Sequence, residues 1–104
     1  MHRVEAVVDT GFNGYLALPH DLIQQLGIPA AEPVDMGLAT DMVVTVASFE
    51  GVVLWREERR SVEILEAEGD PLIGTALLWG SLLTAEMTDN GAVTIGPLPA
   101  GVSG

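Results

Sequence analysis

The sequence predicts a single all-β domain, a small closed β-barrel carrying one or two short helices. Three observations predict it. Short apolar runs rich in Val, Ile and Leu alternate with Gly, Pro, Asn and Asp turn signals along the chain. Only two stretches carry a helical signature, and both are brief. A hydrophobic fraction of 48% in 104 residues is enough to fill one core, and an aromatic fraction of 5% leaves aliphatic side chains to pack it. Residues 1–96 form the expected domain and 97–104 a loose, Gly- and Pro-bearing tail.

Taken in order, residues 4–8 form a β-branched strand that breaks at Asp9-Thr10-Gly11, and Tyr15-Leu16-Ala17-Leu18 is a second apolar run ended by Pro19. Residues 19–27 read as a helix of about two turns. Pro19 suits a first turn, Leu22, Ile23 and Leu26 share a face, and Gly27 supplies a left-handed cap. Residues 28–35 hold Pro29 and Pro33 and read as a connection. Residues 34–36 and 42–49 are the arms of a hairpin with a small-residue tip, Gly37-Leu38-Ala39-Thr40-Asp41. Glu50-Gly51 reads as a turn, 52–56 as a strand, and 57–60 as an exposed charged bend with weak ion pairs. In the strand over 62–66, Val62, Ile64 and Leu65 face inward. A turn at 68–71 leads into Leu72-Ile73-Gly74, then a short helix over 75–80 with a glycine stop. Residues 82–87 and 92–95 close a final hairpin around Asn90-Gly91.

Fifteen acidic residues against four basic ones give a formal charge of −11, and all four cations are arginines: Arg3, Arg56, Arg59 and Arg60. A field of that sign repels phosphate backbones and anionic lipid, so neither nucleic acid nor a membrane is an expected partner. Its simplest role is solubility. With no cysteine, disulfides, thiol nucleophiles, thiolate metal sites and iron–sulfur clusters are excluded. His2 and His20 lack metal-binding spacing, so no metal and no cofactor is expected. The start lacks a signal-peptide pattern, and no apolar run approaches the roughly 20 residues of a membrane helix. A cytoplasmic location is the expectation.

The residues that bear chemistry begin at Asp9. Val7-Val8 lead directly into Asp9-Thr10-Gly11, which sets a carboxylate at the end of an apolar strand, followed by a hydroxyl and an unencumbered backbone. A buried carboxylate is costly unless paired or hydrogen-bonded. Read alone, the triplet also fits an Asp that caps a turn through its own backbone bonds.

Its surroundings add more. Val7-Val8-Asp9-Thr10-Gly11-Phe12-Asn13-Gly14, a hairpin with a glycine-bearing tip, and Leu72-Ile73-Gly74 placed 63 residues after Gly11 occur in that order. On these motifs, spanning residues 4–95, the chain resembles the retropepsin-like (clan AA) aspartic proteases, in particular a microbial single-domain branch with a D-T-G-F motif. The resemblance implies a closed barrel of the retropepsin or pepsin-lobe type and an aspartic endopeptidase acting on peptide or protein substrates. It makes Asp9 the catalytic carboxylate, has Thr10 bond across a dimer axis, and lets Gly11 admit the substrate backbone. Phe12 and Asn13 would line the groove, Gly37, Leu38 and Ala39 would form the flap tip, and Leu72, Ile73 and Gly74 would brace the loop.

Peptide hydrolysis of this kind needs one carboxylate as base on water and one carboxylic acid on the carbonyl, two groups about 3 Å apart sharing a proton. One D-T-G per chain therefore implies a homodimer. Only eight residues precede Asp9, where the family usually has two further strands, so either the start is truncated or the C-terminal hairpin and tail fill that space. Trp55 reads as barrel core, Trp79 as core or dimer contact, His20 as a solvated side chain, and the methionines as gap fillers. Two other readings stay open: the same barrel as a catalytically weak or inactive module for dimerisation or peptide binding, and an acidic cation-binding or structural β-domain, for which no EF-hand loop is present.

Overall fold

The computed structural model describes residues 2–37 and 40–99. Its elements are β1 (Val7–Val8), β2 (Leu16–Leu18), α1 (His20–Leu26), β3 (Val34–Gly37), β4 (Val43–Val46), β5 (Ser48–Trp55), β6 (Glu58–Glu66), β7 (Leu72–Ile73), α2 (Thr75–Leu78), β8 (Ser81–Ala85) and β9 (Val93–Pro97). Strand β2 lies at the centre, and all three of its residues are buried, as an unbroken apolar run requires of a strand covered on both faces. It is flanked by β6 in parallel and β7 antiparallel within a sheet ordered β1-β7-β2-β6-β5. Leu16, Leu18, Ile23, Phe49, Val62, Ile64 and Leu77 form the core on this sheet, with Trp55, Ile73 and the apolar face of α1 packed around it.

Helix α1 ends as its sequence dictates, with Gly27 left-handed at φ 63° and its N–H on the Gln24 and Ile23 carbonyls. The connection after it is anchored: the Ala31 and Glu50 N–H groups bond to Ser48 O and Pro29 O, and the buried Ser48 hydroxyl donates to Glu32 O.

The ribbons β3-β4 and β8-β9 pair only with themselves. In the first, Val34 and Met36 oppose Val46 and Val44, giving one half-buried face. Beyond Gly37, Leu38 and Ala39 lie outside the described residues. The second turns at Asn90, which takes the left-handed conformation at φ 56°, and its last strand includes Pro97, opposite Ser81. The fold is thus mostly β with two short helices. No sheet among the described residues is closed into a barrel. None of the described helices is long and apolar enough to cross a membrane.

Three local expectations are corrected. Glu50-Gly51 is no turn: β5 runs straight through it, paired residue for residue with β6. Gly51 serves packing instead, because a Cβ there would sit 2.6 Å from the δ-methyl of Ile64. The reversal falls at Arg56 and Glu57, both with positive φ, so Glu58, Arg59 and Arg60 belong to β6 rather than to a bend. Finally, regular strand before Asp9 is limited to Val7–Val8, an edge strand whose Val7 is 50% exposed, not a buried one.

Candidate active site

Asp9 follows the last residue of β1. Its backbone N–H donates to Ile73 O at 2.9 Å, and Val7 N–H donates to Pro71 O at 2.8 Å, so the strand leading to it is pinned to β7 in parallel register. Strands β1 and β2 are neighbours in sequence but not in the sheet, because β7 lies between them. The loop joining them, residues 9–15, must therefore pass over the end of β7.

That loop is stapled from below. Gly74 N–H donates to Tyr15 O, Thr75 N–H to Phe12 O and Ala76 N–H to Gly14 O; the Thr75 hydroxyl adds a longer bond to Phe12 O at 3.4 Å. The close approach demands glycine at 74, since a Cβ there would fall 2.1 Å from Gly14 O and 2.7 Å from Phe12 O. The Phe12 ring lies over both glycines: a Cβ on Gly14 would meet its Cζ at 2.5 Å. Phe12 is half-buried in this wedge, while Thr10, Gly11 and Asn13 are exposed. Leu72 and Ile73 are half-buried and Gly74 is buried. Gly37 is exposed, at the end of β3.

Asp9 is half-buried as a residue, and the hydrogen bond its carboxylate accepts is exposed. Oδ1 accepts the Gly11 N–H at 2.9 Å, the local turn bond open to any Asp in such a loop. Its other oxygen takes no hydrogen bond among the described residues. The carboxylate is thus oriented through one oxygen, with the second available to water or to another carboxyl.

Asn13 and Thr75 open into a cavity of about 520 Å³ that is also lined by Tyr15, Arg60, Ala76 and Trp79. Trp79 is 75% exposed, which excludes a core role in the single chain; Trp55 packs on the core as expected. The arginines of the 57–60 segment form no ion pair among the described residues; the only such pair there is His20 with Glu66. Arg60 instead donates to Leu77 O, and Arg56 to the Ser81 hydroxyl. Reading the sequence missed the contributions of Gly14, Tyr15 and Thr75. Two of them act through backbone atoms, which leave no side-chain signature, but the second glycine of Gly11-Phe12-Asn13-Gly14 was a usable sign of close packing. Among the described residues, no three His, Asp or Glu side chains gather in a way that could hold a metal ion. Comparison with known proteins gives no match, either to a family model, to a curated protein or to a solved structure.

Proposed function

We propose that this chain is one lobe of a retropepsin-type aspartic endopeptidase, active as a homodimer in which two copies of Asp9 face each other across a twofold axis. The observation that carries the reading is the braced loop: Asp9 stands at an exposed sheet edge, held by Gly11 through one oxygen, over a base built from Ile73, Gly74 and Thr75. Among the described residues no strand of the sheet lies beyond β1, which supports an edge open to a partner.

In this reading one Asp9 carboxylate takes a proton from water, while the carboxylic acid of the other polarises the scissile carbonyl. The attacking hydroxide gives a tetrahedral intermediate, and proton transfer to the amine nitrogen releases it. Gly11 leaves room for the substrate backbone, and the β3-β4 ribbon covers the groove as a flap. Thr10, exposed in the single chain, would bond with the partner loop in this reading.

The test is an unstructured polypeptide substrate with wild-type protein and Asp9→Asn. Asn retains an oxygen for the Gly11 N–H, so the variant folds. Cleavage falls by a factor on the order of 10² to 10⁴, and a statine-type transition-state mimic raises the dimer fraction in sedimentation. Unchanged cleavage by Asp9→Asn sinks the proposal.

A further inference from the structure

A second cavity, of about 310 Å³, adjoins the first and shares Arg60 and Trp79 with it; Trp55, Arg56, Glu58 and Ser81 complete the features that matter. Sharing those two residues, the pair spans the surface as a trough from Asn13 in the Asp9 loop to the β5-β6 turn. We infer that this trough binds a single carboxylate side chain of an extended peptide, with its guanidinium groups on the carboxylate and its indoles along the neighbouring apolar stem.

The charge distribution argues for it. In a chain of formal charge −11, two of four arginines line one concave surface, and neither is within ion-pair distance of a carboxylate among the described residues. Arg60 is half-buried and its one bond is a long one, 3.4 Å to Leu77 O. Guanidinium donors left over in this way match the forked geometry of a carboxylate. Glu58 lines the same cavity, so two cations stand against one anion, and a ligand with one negative charge balances them. A polyanion is disfavoured by that count and by the field of the whole chain.

Local strain points to the same place. Trp55 pairs with Glu58, leaving a two-residue loop of Arg56 and Glu57 at φ 50° and 69°. Such loops favour Asn-Gly, and ordinary side chains there are strained. In exchange the turn sets a guanidinium on the cavity rim, bonded to Ser81. Trp79, 75% exposed beside it, is an aromatic surface left without a partner in the single chain.

As a substrate subsite this inference rests on the peptidase reading; as a carboxylate site it does not, and the experiment separates the two. Acetyl-Ala-Ala-Glu-Leu-Ala-Ala-amide and its Gln counterpart are titrated into Asp9→Asn protein at low salt, read by tryptophan fluorescence. The Glu peptide binds on the order of tenfold more tightly, and the preference disappears in Arg56→Gln and in Arg60→Gln. Should loss of the Leu77 contact unfold Arg60→Gln, the exposed Arg56 decides alone. Equal affinity for the two peptides, or a preference that survives Arg56→Gln, overturns the inference. The same pair is then offered to wild-type protein. Selective binding without cleavage keeps the carboxylate site and removes the peptidase, whereas cleavage without preference does the reverse.

Discussion

Replacing Gly74 with alanine tests whether the Asp9 loop and the fold are one unit. The added carbon would lie 2.1 Å from Gly14 O, 2.7 Å from Phe12 O and 2.7 Å from a Phe12 ring carbon. Two of those contacts are backbone atoms, which cannot rotate away. Overpacking of this kind costs about 1–3 kcal/mol. Moving the loop also loosens the Gly74–Tyr15 and Thr75–Phe12 bonds, at about 1 kcal/mol each. The sum, about 3–5 kcal/mol, is a large part of the roughly 5–15 kcal/mol that holds an ordinary domain together. For a chain of this size each kcal/mol lowers the melting temperature by about 4–8 °C, so the variant melts at least about 12 °C lower. Gly96→Ala is the control, since a Cβ there meets nothing within 4 Å, and alanine in a strand interior stabilises by up to about 1 kcal/mol. Thermal unfolding followed by circular dichroism reads both. If Gly74→Ala melts within about 3 °C of wild type, the loop is not braced as described.

Leu18 is only 1% exposed at the centre of the sheet, so Leu18→Ala lowers stability by about 2–5 kcal/mol, measured as a shift in urea midpoint. His20 Nδ1 lies 2.7 Å from Glu66 Oε1, and that hydrogen bond and charge hold the imidazole above its ordinary 6.5. A raised folded-state value stabilises below the unfolded pKa and is lost as pH rises through the folded one; the urea midpoint of wild type therefore falls from acid to alkaline pH relative to Glu66→Gln, and parallel curves refute the pairing. Two copies at −11 each repel, so added salt strengthens the proposed dimer. Sedimentation at low and high ionic strength checks this, and a dimer that salt dissociates would mean cross-subunit ion pairs instead.

What could be read beforehand follows from how local each signal is. Helix α1 was legible because Pro19, the apolar face and Gly27 all act within nine residues, and the last hairpin because Asn90-Gly91 carries its own turn chemistry. Gly51 misled because glycine marks both turns and close packing, and only the position of Ile64 decides between them. The Arg56-Glu57 reversal had no glycine to announce it. Of the two roles the sequence offers Trp79, core or dimer contact, the first fails in the single chain, because the chain leaves the helix there, at φ −53° and ψ 133°, and swings it outward from the buried Leu77 and Leu78. For the site, the motif located Asp9 and Leu72-Ile73-Gly74 separately. Their juxtaposition depends on β7 inserting between β1 and β2, a pairing across some 60 residues that no local pattern encodes.

That insertion also divides the molecule mechanically. Asp9 is tied to the same sheet that holds the core, through Ile73 on one side and the Gly74–Ala76 staples below. Moving the carboxylate therefore means breaking the Asp9–Ile73 bond and the staples beneath the loop. The β3-β4 ribbon is different: its ladder is its own, and only one of its faces is half-buried. A two-stranded ribbon without a third strand is marginal by itself, so its amides exchange before those of β2 and β6. In the proposed peptidase this contrast would let the ribbon, as the flap, lift for each substrate while the carboxylate, tied to β7, stays in place.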